Sequence, residues 1–299
     1  MTKKFAFNRF YKLFNLISSL LILLSIILLL FKGLNFGVDF KGGTLIELRT
    51  TNKSVTITNI RDSLNQINLG DVSVKKFGKE DDYLIKFEKK DFNNPNFINE
   101  IKQKLTSSLG NTFEFRRVEN VGPKVSSELL KSGIIAICLS LAAMLIYIWV
   151  RFEWQFSLGA IVALFHDVII TLGLFSLFSL EINLSIVAAV LTIVGYSMND
   201  TVVIFDRVRE NLKKYSDISI FELTNLSINE TLSRTIITST TTLLALFAIF
   251  FFGGEILKGF SLAMILGVFF GTYSSIYIAN PILVSLQVSQ MTILKEDKD

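Results

Sequence analysis

The feature that most constrains this chain is a series of six long apolar runs, at residues 13–31, 133–150, 156–180, 182–205, 235–252 and 259–287. At about 1.5 Å of rise per residue, a helix of about 20 residues spans the hydrocarbon core of a bilayer. Apolar residues make up 51% of the 299 residues and the mean hydropathy is +0.51, which is too high for a soluble α/β enzyme. The sequence therefore predicts an α-helical integral membrane protein with six transmembrane helices.

The first apolar run follows four basic residues, as a secretory signal peptide would: Lys3, Lys4, Arg9 and Lys12. The apolar region of a signal peptide is about 7–15 residues long and ends in a small-residue cleavage site. This run has 19 residues, and no A-x-A sequence follows it. We expect the run to remain as an anchor, so that residues 1–31 form a cytoplasmic tail and the first transmembrane helix.

The polar segment between the first two runs, residues 32–131, has the pattern of a water-facing α+β domain. Residues 43–50 and 111–118 are strand-like, and alternation of apolar and charged residues predicts a hairpin of two strands over residues 71–78 and 82–89. One helix is indicated by Ile57, Ile60, Leu64 and Ile67, and a second ends at the glycine stop signal Gly110. The resulting order, β-α-β-β-α-β, predicts a ferredoxin-like periplasmic domain between helices 1 and 2.

The distribution of Lys and Arg predicts how the chain is oriented in the membrane. With the N-terminus in the cytoplasm, the cytoplasmic segments hold twelve basic residues, and the two short outer loops hold only Lys258. The α+β domain is also basic, but long domains cross the membrane largely regardless of charge. We expect a multi-pass protein of the bacterial inner membrane with both termini in the cytoplasm.

Residues 206–234 mix charges of both signs with apolar residues at helical spacing, namely Val208, Leu212, Ile220 and Leu223. This pattern predicts amphipathic helices that lie along the cytoplasmic interface. We therefore expect a five-helix membrane bundle over residues 132–290 that includes this segment, followed by a cytoplasmic tail over residues 291–299.

The motifs of common hydrolytic and nucleotide-binding enzymes are absent from the sequence. It contains no G-x-x-x-x-G-K-[ST] loop, no G-x-S-x-G turn and no H-E-x-x-H zinc pair. The single cysteine, Cys138, excludes an intramolecular disulfide and a thiolate metal cluster. The net charge of +4 reflects basic residues near membrane helices rather than a nucleic-acid partner. We expect no enzyme activity, no cofactor and no metal, with a proton gradient as the energy source.

Ionisable residues inside membrane spans are costly and mark functional sites by default. His166 and Asp167 lie near the middle of the third run, Asp200 lies in the inner half of the fourth, and Arg234 begins the fifth. Measured from the span centres, Asp200 lies ~9 Å and Arg234 ~13 Å toward the cytoplasm, a difference that an arginine side chain can cover. Arg234 keeps its charge, whereas Asp200 can bind and release a proton. These four residues are the predicted proton-coupling site.

Each of these residues also has a structural interpretation. Asp200 and Arg234 can lock two helices together without moving a proton, and Arg234 alone can extend to the interface. His166 and Asp167 face about 100° apart on a helix and can equally form a helix–helix hydrogen-bond site. The Ser/Thr-rich start of the fifth run and the Gly267-x-x-x-Gly271 pair are interpreted as packing faces.

Several longer motifs resemble the SecF family of protein-export membrane proteins. They are GVDFKGGT, VGPKV, ALFHDV, GYSMNDTVVIFDRVREN, SINETLSRTIITSTTTLL and GTYSSIYIANP, in the family's order and spacing between residues 37 and 281. The glycines of GVDFKGGT are expected to permit a tight turn rather than to bind phosphate, because the motif leads from a membrane helix into a strand.

The resemblance implies one six-helix half of a transporter of the resistance-nodulation-division superfamily, with SecD as the other half. It implies action with the SecYEG channel, in which preproteins are pulled across the membrane by use of the proton gradient. It also implies that Asp200 and Arg234 occupy the family's proton-coupling positions. The expected partners are therefore SecD, SecYEG, translocating preproteins and membrane lipid, and not nucleic acid.

Two alternative functions remain open at the level of the sequence. The chain can be half of a small-molecule exporter of the same superfamily, although such exporters normally carry both halves and large outer domains in one chain. It can also be a scaffold subunit that holds its partners and moves no protons. Substitution of Asp200 distinguishes the scaffold from a coupling subunit, because a scaffold tolerates Asp200→Asn.

Overall fold

A computed structural model describes residues 5–51, 55–65, 72–77, 79–87, 97–110, 113–215 and 217–294. The chain divides into two compact units, a helical unit (residues 1–35 and 135–299) and an α+β unit (residues 36–134). The helices are α1 (Tyr11–Phe31), α2 (Val38–Lys41), α3 (Ile57–Asn65), α4 (Phe97–Leu109), α5 (Pro123–Arg151), α6 (Trp154–Leu177), α7 (Leu184–Lys214), α8 (Ile220–Phe252), α9 (Glu255–Ser274), α10 (Asn280–Ser285) and α11 (Gln290–Leu294). The strands are β1 (Asn35–Phe36), β2 (Gly43–Thr50), β3 (Val72–Phe77), β4 (Lys79–Phe87), β5 (Phe113–Val121) and β6 (Glu181–Ile182).

Within the described residues, six helices are long and apolar enough to cross a membrane. They are α1 with the 3₁₀ turn at Phe7–Phe10 before it, then α5, α6, α7 and α8, and finally α9 continued into α10. This number confirms the prediction of six transmembrane helices. Helix α5 begins earlier than predicted, at Pro123 within VGPKV, because proline favours the first position of a helix, where its missing N–H costs nothing.

The amphipathic segment predicted over residues 206–234 does not form helices of its own. Helix α7 continues without a break to Lys214, and α8 begins at Ile220 and runs directly into the fifth apolar run. The apolar residues that suggested an interfacial helix, such as Val208, Leu212 and Leu223, are buried in the core of the helical unit instead. The segment therefore lengthens two of the predicted spans, because its apolar stripes find partners on neighbouring helices.

Three helices form the centre of the helical unit and three lie around it. In the most apolar 18-residue stretch of each helix, the buried share of residues is 56% in α6, 50% in α7 and 56% in α9 with α10. The corresponding share is 11% in α1, 6% in α5 and 17% in α8. The outer helices expose large apolar side chains, among them Trp149 at the end of α5 and Phe252 at the end of α8. The interior of the bundle is therefore formed mainly by α6, α7 and α9, and α1 and α8 contribute buried polar residues such as Ser18 and Ser239.

The close approach of α7 and α9 depends on two glycines of α9. A Cβ at Gly267 would overlap the side chain of Ile193, and a Cβ at Gly271 would lie 3.0 Å from Cβ and 3.1 Å from Cα of Ser197. The Gly267-x-x-x-Gly271 pair is therefore a packing face, as predicted.

A five-residue π-helical segment, Ser275–Ala279, separates α9 from α10. Its physical cause is Pro281, which has no N–H to donate to the carbonyl one turn earlier. Asn280 Nδ2 donates to the Ser275 carbonyl at 2.7 Å and so satisfies an acceptor inside the widened turn. Such π segments occur frequently at functional sites.

The α+β unit contains a four-stranded antiparallel sheet in the order β3-β4-β2-β5. Along the chain, β2, α3, β3, β4, α4 and β5 follow one another as predicted, although residues 66–71, 78, 88–96 and 111–112 lie outside the described residues. The core of this unit joins one face of the sheet to the two helices through Ile46, Leu48, Ile60, Leu64, Ile85, Ile101 and Leu105. Gly42 and Gly43 have φ values of +77° and +125°, which explains the glycine pair of GVDFKGGT before β2.

The opposite face of this sheet carries a cluster of charges. Arg49 donates to both carboxylate oxygens of the buried Asp82, at 2.6 and 2.9 Å. Arg116 lies 3.6 Å from Asp82 and 3.9 Å from Glu47. A bulge in β5 next to Arg116, where the register with β2 shifts between Glu47 and Leu48, turns this arginine toward both acids.

Candidate functional site

Polar side chains gather in the interior of the helical unit, where α1, α6, α7, α8 and α9 meet. Three of the four predicted site residues are buried there: His166 is 1% exposed, Asp167 is 0% exposed and Asp200 is 3% exposed. In a bundle whose helices are otherwise apolar, buried ionisable groups are rare and require specific partners. The contacts of each one define two neighbouring polar centres, one at Asp167 and one at Asp200.

Asp167 links three helices through its carboxylate. Its Oδ2 accepts hydrogen bonds from Ser197 Oγ of α7 and, at 2.8 Å, from Ser274 Oγ of α9. Its Oδ1 lies 2.8 Å from Nδ1 of His166. The close packing of α9 on α7 at Gly271 brings both serines within reach of this carboxylate. The helix–helix hydrogen-bond interpretation of this residue therefore describes its contacts in the structure.

His166 continues the same centre toward α1. Its Nε2 lies 3.2 Å from Ser18 Oγ, and Ser18 Oγ lies 2.8 Å from the hydroxyl of Tyr273. Tyr273 donates to the Phe14 carbonyl at 2.9 Å, and its ring stacks on the His166 imidazole with centroids 5.8 Å apart. The imidazole is thus held by a carboxylate on one side and a hydroxyl chain on the other.

Asp200 forms the second centre, between α7, α8 and α9. Its Oδ2 accepts hydrogen bonds from Thr272 Oγ1 at 3.2 Å and from Ser239 Oγ at 3.4 Å. These two hydroxyls also lie 2.7 Å from each other. Because a hydroxyl can both donate and accept, this pair can hold Asp200 either as a carboxylate or as a carboxylic acid. The site is therefore built from groups that tolerate both protonation states.

Arg234 lies apart from Asp200 in this conformation. Its side chain is exposed and lines an open cleft of about 620 Å³ between α7 and α8, together with Asn199, Arg207 and Glu230. In the part of the chain that the structure describes, Arg234 and Asp200 form no ion pair. Asn199 and Asp200 are neighbours on α7, so the cleft reaches the residue next to the buried carboxylate without including it.

Three successive residues of α9 connect these centres, because each faces a different neighbouring helix. Thr272 contacts Asp200 on α7, Tyr273 contacts Ser18 on α1, and Ser274 contacts Asp167 on α6. Consecutive helical residues point about 100° apart, which is what a central helix needs in order to reach three partners. The π segment begins at the next residue, so the widened turn lies directly beside the site.

A cluster of ion pairs lies beside the cleft, at the end of α7. Arg209 Nε donates to the almost fully buried Glu153 at 3.0 Å, and Arg151 lies 3.0 Å from Asp206. Arg207 pairs with Glu230 of α8 at 2.7 Å. The charges that suggested a solvated amphipathic surface therefore join α7 to α8 and to the turn between α5 and α6.

The sequence-based reading missed the hydroxyl residues of the site, which are Ser18, Ser197, Ser239, Thr272, Tyr273 and Ser274. Ser239 belongs to the Ser/Thr-rich stretch that was interpreted as a packing face. Small polar residues are common in membrane helices, where most of them bond to their own backbone, so their presence alone is a weak signal. Pairing each with a carboxylate on another helix requires the tertiary structure.

Comparison with protein families gives two matches along the chain. Residues 101–289 match the model for the C-terminal part of the protein-export membrane proteins SecD and SecF, and residues 27–53 match the SecD/SecF GG motif. The first match covers the helices that hold both polar centres, and the second contains Gly42 and Gly43.

Comparison with individual proteins gives relatives that are similar over nearly the whole chain. The chain is 48% identical over 280 residues to a protein translocase subunit SecF of Rickettsia bellii, covering 93% of this chain and 92% of the relative. It is 44% identical over 275 residues to the SecF subunit of Cereibacter sphaeroides, covering 89% and 84%. A crystal structure of SecDF, a translocon-associated membrane protein from Thermus thermophilus, superposes with a TM-score of 0.85 at 35% identity.

The superposition covers 95% of this chain but only 39% of the SecDF chain, so this protein corresponds to less than half of that structure. A second structure of SecDF, in a super-membrane-facing form, superposes with a TM-score of 0.71 at 33% identity. The family match, the high identity over nearly the whole length and the six apolar helices agree with one another. This multi-pass membrane protein therefore belongs to the SecF family of SecD/SecF protein-export membrane proteins.

Proposed function

We propose that this chain is an accessory subunit of the Sec protein translocase that pairs with SecD and uses the proton motive force to promote preprotein export through SecYEG. It does so without enzymatic chemistry and without a cofactor or metal. The observation that carries the proposal is the pair of hydroxyls around Asp200, because this environment suits a carboxyl group that alternates between charged and neutral forms. One proton that crosses the membrane carries roughly 2.3 kcal/mol per 100 mV.

Pairing with SecD is supported by the share of SecDF that this chain covers. The solved SecDF structure carries the SecD and SecF names in one chain, and this protein superposes on 39% of that chain. A separate SecD chain would therefore supply the remainder. The weakly buried helices α1, α5 and α8 leave apolar faces in need of lipid or protein partners. A second half-bundle on one of these faces would complete the two-half architecture of the superfamily.

The proposed orientation has both termini in the cytoplasm of a bacterium and the α+β unit, a ferredoxin-like domain, in the periplasm. The asymmetry of Lys and Arg supports this orientation. In it, the cleft that contains Arg234 opens toward the cytoplasm, and the ion pairs at the end of α7 lie at the cytoplasmic surface.

In this proposal, Asp200 and Arg234 act as a pair whose distance changes during the cycle. In the conformation described above, Arg234 is in the open cleft and Asp200 is held by Thr272 and Ser239. A movement of α8 against α7 would bring the guanidinium to the carboxylate, and a guanidinium favours the charged form of its partner. Alternation between these two arrangements would couple proton release to helix movement.

The test is preprotein transport into inverted or reconstituted vesicles with and without a proton gradient. Asp200→Asn keeps the size of the side chain but fixes it in a neutral form, so the contribution of the gradient should be lost while ATP-driven transport remains. Arg234→Lys should impair the response because it keeps the charge but loses the planar fork of the guanidinium.

Glu222→Gln is the control, since it removes an exposed carboxylate at the start of α8, outside both the hydroxyl pair and the cleft of Arg234. It should keep the gradient response. A normal gradient response of a properly assembled Asp200→Asn complex would refute proton coupling at this residue and favour the scaffold. Gradient-driven efflux of a small molecule without any effect on preproteins would favour the exporter.

A further inference from the structure

A continuous chain of hydrogen bonds runs from Asp167 to the backbone of α1. Its four contacts are Asp167 Oδ1 to His166 Nδ1 at 2.8 Å, His166 Nε2 to Ser18 Oγ at 3.2 Å, Ser18 Oγ to the Tyr273 hydroxyl at 2.8 Å, and that hydroxyl to the Phe14 carbonyl at 2.9 Å. Asp167, His166 and Ser18 are each at most 1% exposed, so these polar atoms have little access to water. Buried polar groups of this kind are nearly always hydrogen-bonded.

Each of the four contacts requires one hydrogen, and the hydrogens available can be counted. Ser18 and Tyr273 each bring one, and the Phe14 carbonyl brings none. The hydroxyls must therefore both donate away from the histidine, Ser18 to Tyr273 and Tyr273 to the carbonyl. The contact between Nε2 and Ser18 Oγ then needs a hydrogen on Nε2, and the contact between Nδ1 and Oδ1 needs another.

A neutral imidazole beside a carboxylate has only one hydrogen to give, which is one too few. We propose that the His166–Asp167 pair holds one additional proton in the interior of the bundle, and that Ser18 and Tyr273 are the positioning residues that keep it there. The proton lies between the two side chains, as an imidazolium beside a carboxylate or as a neutral imidazole beside a carboxylic acid. In both forms the pair has no net charge and Nε2 carries a hydrogen. This assigns a second proton-binding site, distinct from Asp200.

The charged and titratable groups on the surrounding helices do not supply an alternative counter-charge. Helix α7 faces the pair with Ser197, and its Asp200 is bonded to Thr272 and Ser239 instead. Helix α1 contributes Ser18, while its Tyr11 donates to Thr224. From α9 and the π segment come Tyr273 and Tyr277, which are both neutral phenols. Among the described residues, no Lys or Arg bonds to the pair, so His166 itself is the group that balances Asp167.

Release of this proton changes how the helices are held together. With one hydrogen fewer, the four contacts cannot all be hydrogen bonds, and three of them join α1 to α6 or α9. The packing of α1 on α6 is also tight about two turns away, where a Cβ at Gly173 would lie 2.8 Å from Cα of Ser25. Loss of any of these three interhelical bonds on proton release would weaken the attachment of α1. The role of this step in export rests on the proposed function, whereas the proton count does not.

The test uses the fact that His166 is the only histidine of the chain. The full chain, purified on a tag without histidine and reconstituted in lipid vesicles, is labelled with ¹⁵N-histidine, and the one-bond N–H couplings are measured by solid-state NMR across a pH series. The expected result at neutral pH is a hydrogen on Nε2 together with either a hydrogen on Nδ1 or a protonated Asp167 carboxyl group, which the ¹³C shift of the labelled carboxyl carbon reports. A bare Nε2, or a hydrogen on Nε2 beside a bare Nδ1 and an Asp167 carboxylate, would overturn the proposal.

Variants test the positioning residues separately. Tyr273→Phe removes the last hydroxyl, so Ser18 is free to donate to Nε2, and the ratio of protonated to bare Nε2 at neutral pH should fall by about tenfold relative to wild type. Tyr277→Phe is the matched control, because Tyr277 also packs its ring on Phe14, with centroids 4.2 Å apart, but is not part of the chain. It should leave the ratio unchanged, and an unchanged ratio in Tyr273→Phe would contradict the assigned role.

Asp167→Asn tests the count of hydrogens, because its side chain supplies the hydrogen that the contact with His166 Nδ1 requires. Its amide group can donate to Nδ1 without any proton exchange, so Nε2 should stay protonated across the whole pH series. A bare Nε2 in this variant would contradict the count. The NMR experiment needs no gradient and no partner, so its outcome is independent of the transport assay with Asp200→Asn. A protonated Nε2 together with a normal gradient response of Asp200→Asn would remove the proposed function and leave this proton site in place.

Discussion

Replacement of Asp167 by alanine removes a carboxylate that joins α6 to α7 and α9. The serines at positions 197 and 274 then lose their common acceptor, and His166 loses the partner of Nδ1. Ser274 is the least affected, because its hydroxyl also reaches the Gly271 carbonyl at 3.2 Å. Ser197 is fully buried and has no such second acceptor among the described residues.

The size of the effect follows from the number of interhelical bonds. Hydrogen bonds between membrane helices contribute about 0.6 kcal/mol on average and up to about 1.7 kcal/mol each. With two interhelical bonds lost and a buried imidazole left without its partner, we expect Asp167→Ala to lower the free energy of unfolding by about 2 kcal/mol. That corresponds to roughly a 30-fold change in the folding equilibrium.

Asp167→Asn is the matched variant. Its amide oxygen can accept from both serines and its amide nitrogen can donate to Nδ1, so the loss should stay below about 1 kcal/mol. The assay is reversible unfolding in mixed detergent micelles, with the free energy of unfolding compared among wild type, Asp167→Asn and Asp167→Ala. If Asp167→Ala unfolds within about 0.5 kcal/mol of wild type, the carboxylate does not hold these helices together, and the reasoning from the hydrogen bonds fails.

Two further predictions concern packing and pH. Gly271→Val should prevent α9 from approaching Ser197 and lower both the yield of folded protein and its unfolding temperature, whereas Gly195→Ala on α7, where a Cβ meets open space, should have no such effect. In the α+β unit, burial, with a smaller contribution from the nearby Lys75, lowers the pKa of Lys86 from 10.5 to about 8. Because the unfolded chain binds this proton more tightly, the stability of the unit should rise between pH 8 and 10.5. Amine acylation followed by mass spectrometry should show that Lys86 reacts at a pH well below that at which an ordinary lysine reacts. Titration of Lys86 near 10.5 would contradict the burial argument.

The membrane character of the chain could be predicted from the sequence because the bilayer imposes a local rule. Each apolar run must be long enough to cross the hydrocarbon core and must satisfy its own backbone, so length and composition indicate a helix without knowledge of its neighbours. The same holds for the strands of the α+β unit, where the strand-like local sequence predicted β2 at residues 43–50, and for the glycine pair before it, whose positive φ values no other residue adopts readily.

The helix ends were less predictable because they depend on contacts. Nothing in the local pattern of residues 206–234 distinguishes a helix on the membrane surface from the continuation of a span. The decision came from Val208, Leu212 and Leu223, which are buried against other helices of the bundle. Tertiary packing therefore lengthened α7 and α8 beyond the predicted runs.

From the sequence alone, His166, Asp167 and Asp200 are predicted at membrane depth, because they lie inside apolar runs long enough to cross a bilayer. The tertiary structure decided their partners. Asp200 is held by hydroxyls of α8 and α9 rather than by Arg234, and Asp167 is held by serines of α7 and α9 together with its neighbour His166. Hydrogen bonds act over about 3 Å, so they are fixed only when the helices have packed. Residues far apart in the chain, such as Ser18 and Tyr273, come into contact only because α1 and α9 pack against the same part of the bundle.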